Sequence, residues 1–354
     1  MRLQKPPLRG KKTSASFSFF LRCIIFFLPL VSCSRSAGGR AVPPHTFVAL
    51  GTVCSVNLYE DGTEALYRRI TERLQQIEGA FSVNLPSSEI SAVNRMAGIA
   101  PVPVSAEVLA VLEAALAVAE KSGGAFNPAV GPLVALWGVG TETPAVPDAD
   151  AIQALLPLVD YRKIQRDGAA VFLTEAGMQL DFGGIAKGYA ADEAVRVAVD
   201  AGVRRALVDL GGNIYVYGKK ADGTAWRVGV KNPENAGADL ALQVELASGT
   251  VVTSGRYERF FEQDGIRYHH IIDPATGYPA ERGVLSATVV GQSSLLADAL
   301  STAAFVLGKE KGLALLQNEY PDMDALILTA DHTAAGTPRI RQTATLLRNA
   351  YGWE

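Results

Sequence analysis

Residues 269–279 read His-His-Ile-Ile-Asp-Pro-Ala-Thr-Gly-Tyr-Pro, and they constrain the chain more than any other stretch. Two β-branched residues follow the histidines, and Asp-Pro, Thr-Gly and a second proline then close the run. Asp-Pro and Thr-Gly are turn chemistry. The stretch predicts a strand that ends in a tight, well-fixed loop. A histidine at such a strand end titrates near neutrality and suits a general base. Equally, one of the pair can point into the sheet and serve only as a hydrogen-bonded core residue.

The N-terminus is of a different kind. Residues 1–32 carry six basic groups (Arg2, Lys5, Arg9, Lys11, Lys12 and Arg22) and no acidic one. An apolar run, Cys23 to Val31, leads into Leu30-Val31-Ser32-Cys33. That run is too short to span a bilayer comfortably, and the pattern is that of a cleaved export signal. Leu-Val-Ser-Cys resembles a bacterial lipobox, with Cys33 as the lipidated residue. We therefore expect a signal peptide at 1–32, a lipidated tether at 33–45 and a folded domain at 46–354. The expected location is exported, on a membrane, facing the periplasm or the cell exterior.

The whole chain carries a formal charge of −3. The basic signal hides a more acidic remainder with no basic run, which argues against nucleic acid as a partner. Beyond Cys23 and Cys33 only Cys54 remains, so no internal disulfide and no cysteine metal cluster is expected in the mature domain.

Along the domain, 46–59 reads as a strand interrupted at Gly51. Glu64 to Ala80 reads as an amphipathic helix with Leu66, Ile70, Leu74 and Ile77 on one face. Ser87 or Ser88 begins a second helix, and Ser105 opens a third that stops at Gly123-Gly124. The 124–138 stretch mixes rigid turns with Phe126 and Trp137, which suit either a flat aromatic ligand or a core. A strand ending at Asp181 then turns through Gly183-Gly184 into a helix, a geometry that aims backbone N–H groups at an anion, with Lys187 one turn in. Residues 206–217 show a strand broken by Gly211-Gly212. Residues 226–231, 240–246, 284–290 and 325–328 read as strands. Ser293 caps a helix that ends at Gly308 and places Asp298 and Thr302 on one otherwise apolar face. A carboxylate there needs a counter-charge, which either Mg²⁺ or a backbone N–H supplies. Ser254 has no recognisable His-Asp partners, so a serine hydrolase is disfavoured.

Taken in order, these motifs resemble the ApbE family of FAD:protein FMN transferases. They are Leu50-Gly51-Thr52, Phe81-Ser82 with Ser88-Glu89-Ile90, Gly131-Pro132 through Trp137, Asp181 through Asp192, Leu210 to Asn213, Thr253 to Gly255, His270 through Pro279, and Asp298 with Thr302. The resemblance implies an α+β fold of mixed, mainly antiparallel sheets flanked by helices, with FAD in a cleft between two lobes. It implies Mg²⁺-dependent transfer of FMN from FAD to a threonine or serine hydroxyl of a partner flavoprotein, releasing AMP. By the same resemblance His270 is the base, and Leu50, Asn84, Ala125, Phe126, Asn127, Asp181 and Lys187 bind FAD. Gly184, Leu295, Asp298 and Thr302 hold the metal. Three positions depart from the family pattern: Leu50 for methionine, Asn84 for an aromatic residue and Asn127 for aspartate. The alternatives are an FAD pyrophosphatase, with water as the acceptor, and a non-catalytic FAD-binding lipoprotein.

Overall fold

The computed structural model describes residues 43–235, 239–347 and 350–354. The signal 1–32, Cys33 and the tether to residue 42 lie outside the described residues. A nine-stranded sheet forms the frame, and its spatial order follows the chain: His45–Ala49, Thr52–Asn57, Ala206–Leu210, Asn213–Tyr217, Gly249–Gly255, Val284–Gly291, Asp324–Thr329, Thr333–Gly336 and Gly352–Trp353. Neighbours pair antiparallel except the last two, which run parallel. The fold is therefore α+β with mainly antiparallel sheets, as expected. Residues Arg40–Glu354 gather into one unit, so any lobes are parts of one domain.

The strands follow the two-residue period of a sheet buried on both faces, except at a bulge between Val284 and Ser286 that turns Leu285 to the opposite face from Ala287 and Val289. On one face Val252, Ala287, Val289, Ala325 and Ile327 meet the helices in the largest core. On the other face Val251, Leu285, Leu326 and Leu328 pack against a three-stranded sheet built from Trp226–Lys231, Leu240–Leu246 and Ala344–Leu346. A third cluster gathers Leu133, Trp137, Ile152 and Ile272 under the 271–279 loop.

Three helix starts follow the sequence closely. Ser88, Ser105 and Ser293 each accept an N–H from three residues on, and these caps begin Glu89–Arg95, Ala106–Lys121 and Ser294–Leu307. Two expectations change. The 46–59 strand is a hairpin: Leu50 and Gly51 take φ of 53° and 66°, a two-residue turn with both central residues left-handed. Gly51 therefore turns the chain rather than bulging a strand. The segment reaching Asp181 belongs to no sheet, and Asp181 N–H bonds the Pro128 carbonyl at 2.9 Å. The Asn94 side chain takes the place of a strand partner, accepting from Leu180 N–H at 2.7 Å and donating to the Leu180 carbonyl at 3.0 Å.

The helices Ala186–Asp200 and Ser294–Leu307 lock together at their N-terminal ends. Gly188 N–H donates to Asp298 Oδ2 at 2.9 Å, and Asp192 accepts from the N–H groups of Ser294 at 2.8 Å and Leu295 at 3.0 Å. A Cβ on Gly188 would overlap the Ser294 carbonyl and stand 2.8 Å from Asp298 Cβ. In an unobstructed helix, glycine to alanine gains roughly 0.5–1 kcal/mol. Here overpacking wins, and we expect Gly188→Ala to lose about 1–3 kcal/mol in urea unfolding.

Candidate active site

The turn 183–185, the Ser294–Leu307 helix, the 124–128 loop and His270 supply the polar groups that the sequence singled out. The two histidines divide by burial. His269 is 4 % exposed: its Nδ1 accepts from Ile271 N–H at 3.3 Å, its Nε2 faces the Ala280 carbonyl at 3.1 Å, and its ring meets Phe305 edge-on. Both ring nitrogens are used, so His269 is a core residue whose basicity burial pushes down to about 4.

His270 is half-buried, and its Nδ1 lies 3.1 Å from the Arg259 carbonyl. A carbonyl only accepts, so Nδ1 carries the proton and Nε2 keeps its lone pair. Burial pushes this imidazole down to about 3, and the charges of Arg259 and Lys187 push the same way. The free protein therefore holds His270 neutral at any physiological pH.

Asp181 stands in the same electrostatic neighbourhood. Its Oδ1 accepts from Gly183 N–H at 2.6 Å. Burial raises its carboxyl strongly, while that N–H and the charges of Arg259 and Lys187 pull it down. Lys187 reaches back to the Gly183 carbonyl at 3.5 Å. The sequence reading missed Arg259. An Asp264-Gly265 turn, with φ of 53° and 77°, closes a hairpin of Phe260–Gln263 and Ile266–His269. Counting back from an Asp-Gly turn sets Arg259 opposite His270, so the signal was there to read.

Asp298 is 4 % exposed. Its Oδ2 is taken by Gly188, and Oδ1 has no hydrogen-bond partner among the described residues. Thr302 Oγ1 lies 3.2 Å from Ser254 Oγ, which itself meets Ser301 Oγ at 2.8 Å. A Cβ on Gly184 would stand 3.3 Å from Thr302 Oγ1 and 3.2 Å from Phe126 Cε2, so both side chains border the Gly184 turn. Among the described residues no three His, Cys, Asp or Glu side chains gather as a metal site. One free carboxylate oxygen, one hydroxyl and a turn are instead a sparse hard-oxygen set. That set fits Mg²⁺, which keeps waters and substrate phosphates as its other ligands.

Leu295 stands apart from this group. Seven residues separate it from Thr302, about 10 Å of helical rise. Two ligands of one Mg²⁺ lie within about 4 Å of each other. Leu295 instead gives its N–H to Asp192, a carboxyl that burial raises to about 6. Asn127 is 7 % exposed and spends its amide on the Val159 carbonyl and the Ala129 N–H, fixing the loop that carries Ala125 and Phe126. Leu50 is half-buried at the hairpin turn, where its left-handed backbone costs about 1–2 kcal/mol. That turn adjoins Gly211, on which a Cβ would overlap the Thr52 side chain. Asn84 is exposed, its N–H on Ser82 Oγ at 3.2 Å, and nothing bonds it to the other site residues.

The family model described as the ApbE family matches residues 50–327. The chain belongs to the ApbE family. It is 45 % identical over 318 residues to the FAD:protein FMN transferase of Treponema pallidum (strain Nichols), covering 84 % of this chain and 88 % of that protein. The crystal structure of the ApbE protein from Thermotoga maritima superposes with a TM-score of 0.78 at 34 % identity, over 86 % of this chain and 99 % of that one. The flavin transferase ApbE from Vibrio cholerae follows at 0.77 and 26 %, over 86 % and 100 %.

A histidine neutral in the fold and free to protonate when unfolded lowers stability as pH falls below its unfolded value. For His270 that loss starts near pH 6.5 and grows towards its folded value of about 3. The urea midpoint of His270→Ala should therefore fall less steeply than that of the wild type between pH 6.5 and 4.5. Parallel slopes would contradict a neutral His270.

Proposed function

We propose that this ApbE-family chain transfers the FMN part of FAD to a threonine or serine hydroxyl of a partner flavoprotein and releases AMP, with Mg²⁺ as cofactor. The names of its relatives support the flavin transfer. The observation that carries the chemistry is His270: a neutral imidazole whose Nδ1–H is fixed on a carbonyl, with Nε2 free to take a proton.

The acceptor oxygen forms a bond to the flavin-side phosphorus while its proton passes to His270 Nε2. The bond from that phosphorus to the AMP oxygen breaks, and the electron pair leaves with AMP. Lys187 and Arg259 set positive charge beside the diphosphate, and Gly183-Gly184 lead into a helix start that adds N–H groups. Asp298 Oδ1, Thr302 Oγ1 and the turn at Gly184 would hold the metal. Bound Mg²⁺ supplies charge neutralisation at the diphosphate oxygens. Phe126, held by Asn127 and Ser122, would wall the flavin or adenine ring. Export and a lipid anchor at Cys33 complete the reading and would place the enzyme on a membrane surface.

The deciding assay incubates the protein with FAD, Mg²⁺ and an acceptor flavoprotein domain and follows AMP together with acceptor mass. Equal AMP release and gain of one FMN is expected; AMP without mass gain would make the protein an FAD pyrophosphatase. His270→Ala should lose roughly 10²–10⁴-fold in kcat, the span of a positioned base, while retaining FAD. Asp298→Ala should lose the rise in melting temperature that Mg²⁺ with FAD gives the wild type; an undiminished rise would remove Asp298 from the metal site. Replacing Cys33 with serine should abolish labelling of the cells' protein by radioactive palmitate.

A further inference from the structure

The 260–269 hairpin does more than carry His270. It also forms one wall of an open groove of about 570 Å³, shared with Val146, Tyr278, Asp273 and Arg282. Ile266 and Tyr268 are its contribution to that wall. Ile266, Tyr268 and His270 are two residues apart in turn, so their side chains leave the same face of the strand. From Tyr268 to His270 is about 7 Å along the strand, two residues of an extended peptide. We propose that the hydroxyl-bearing segment of the acceptor protein lies in this groove, with its reactive side chain at His270. The inference rests on the transferase reading above.

Three features favour that occupant. First, the strand has a free edge. The sheet has only two strands, and Gln263 and Ile266 close its two-residue turn. The bond from His270 N–H to the Arg259 carbonyl at 3.1 Å continues the alternation. The backbone N–H and carbonyl of Arg267 therefore face away from the partner strand and have no partner among the described residues, as in an edge that takes an added strand. Second, the opposite wall is fixed in advance. Trp137 donates to the Gly277 carbonyl at 2.7 Å, Ile272 bridges to Pro279, and Ala280 N–H bonds the Ile271 carbonyl at 2.9 Å. A groove already rigid spends less binding energy on ordering itself. Third, its surface selects. Ile266 is 50 % exposed and Tyr278 38 %, an apolar surface open to solvent in the free protein. Asp273 and Arg282 pair with each other at 3.4 Å, which leaves only the exposed Glu281 unpaired beside them. Such a lining favours an uncharged segment over a highly charged one.

The test uses two synthetic pools of short peptides, each with one central threonine, flanked in one pool by uncharged residues and in the other by Lys and Glu. Wild-type enzyme with FAD and Mg²⁺ should add one FMN to the uncharged pool at least several-fold faster than to the charged pool. Ile266→Glu and Ile266→Lys should each raise the peptide KM tenfold or more. AMP release into water, FAD affinity and melting temperature should stay unchanged, since Ile266 is exposed at a turn and lies outside the flavin and metal groups. Undiminished transfer by both variants overturns the groove alone. Loss of FAD affinity in both assigns this surface to FAD and also overturns it. A wild type that releases AMP but modifies neither pool nor a folded flavoprotein acceptor overturns the groove and the transferase reading together.

Discussion

Two helices that cap each other hold the site together. Asp298, on the Ser294–Leu307 helix, accepts from Gly188 in the first turn of the Ala186–Asp200 helix. Asp192, on that second helix, accepts from the first N–H groups of the other. Each carboxylate sits at a helix N-terminus, where the backbone dipole stabilises negative charge. The approach this needs is possible only because position 188 lacks a side chain. Asp298 is thus oriented by its protein bond and keeps one oxygen for a ligand. The structural role, which Oδ2 fills, and the proposed metal-binding role, which would fall to Oδ1, therefore do not compete for the same oxygen.

The histidine pair resolves in a similar way. Adjacent residues on a strand face opposite sides, so one histidine must point inward. His269 does, and it anchors the strand end between Phe305 and the Ala280 carbonyl. His270 then emerges on the other face with its ring fixed by Arg259. The loop that follows is rigid because Trp137 ties Gly277 to the third hydrophobic cluster. The placement of His270 therefore depends on packing that includes the third hydrophobic cluster.

Much of this was legible in the sequence, and the parts that were not have identifiable causes. Ser88, Ser105 and Ser293 announced their helices because capping is a local effect of one hydroxyl on one N–H. The i, i+4 spacing of Asp298 and Thr302 placed them on one face for the same local reason. The segment before Asp181 reads as a strand, but Leu180 pairs with the Asn94 side chain, 86 positions away in sequence, instead of with a strand. The 46–59 turn was obscured by leucine at a left-handed position, where glycine or asparagine is the usual sign. Parity along the His269-His270 strand was readable, but which face is buried depends on Phe305 and Ala280, which no local pattern links to it.

On the proposed reading, the electrostatics of the free site explain why His270, pushed down to about 3, could still serve as a base. Its low basicity has two sources, burial and the cations Arg259 and Lys187. The second is not a fixed property of the loaded site. A diphosphate placed between those cations and the imidazole brings negative charge that cancels their repulsion and stabilises the imidazolium. The free protein thus keeps His270 unprotonated, and on the proposed reading the substrate would itself supply the charge that lets the ring accept a proton. On that reading Arg259 would be tied to both halves of the chemistry: its guanidinium would share the field at the diphosphate, and its carbonyl fixes the ring that would receive the proton.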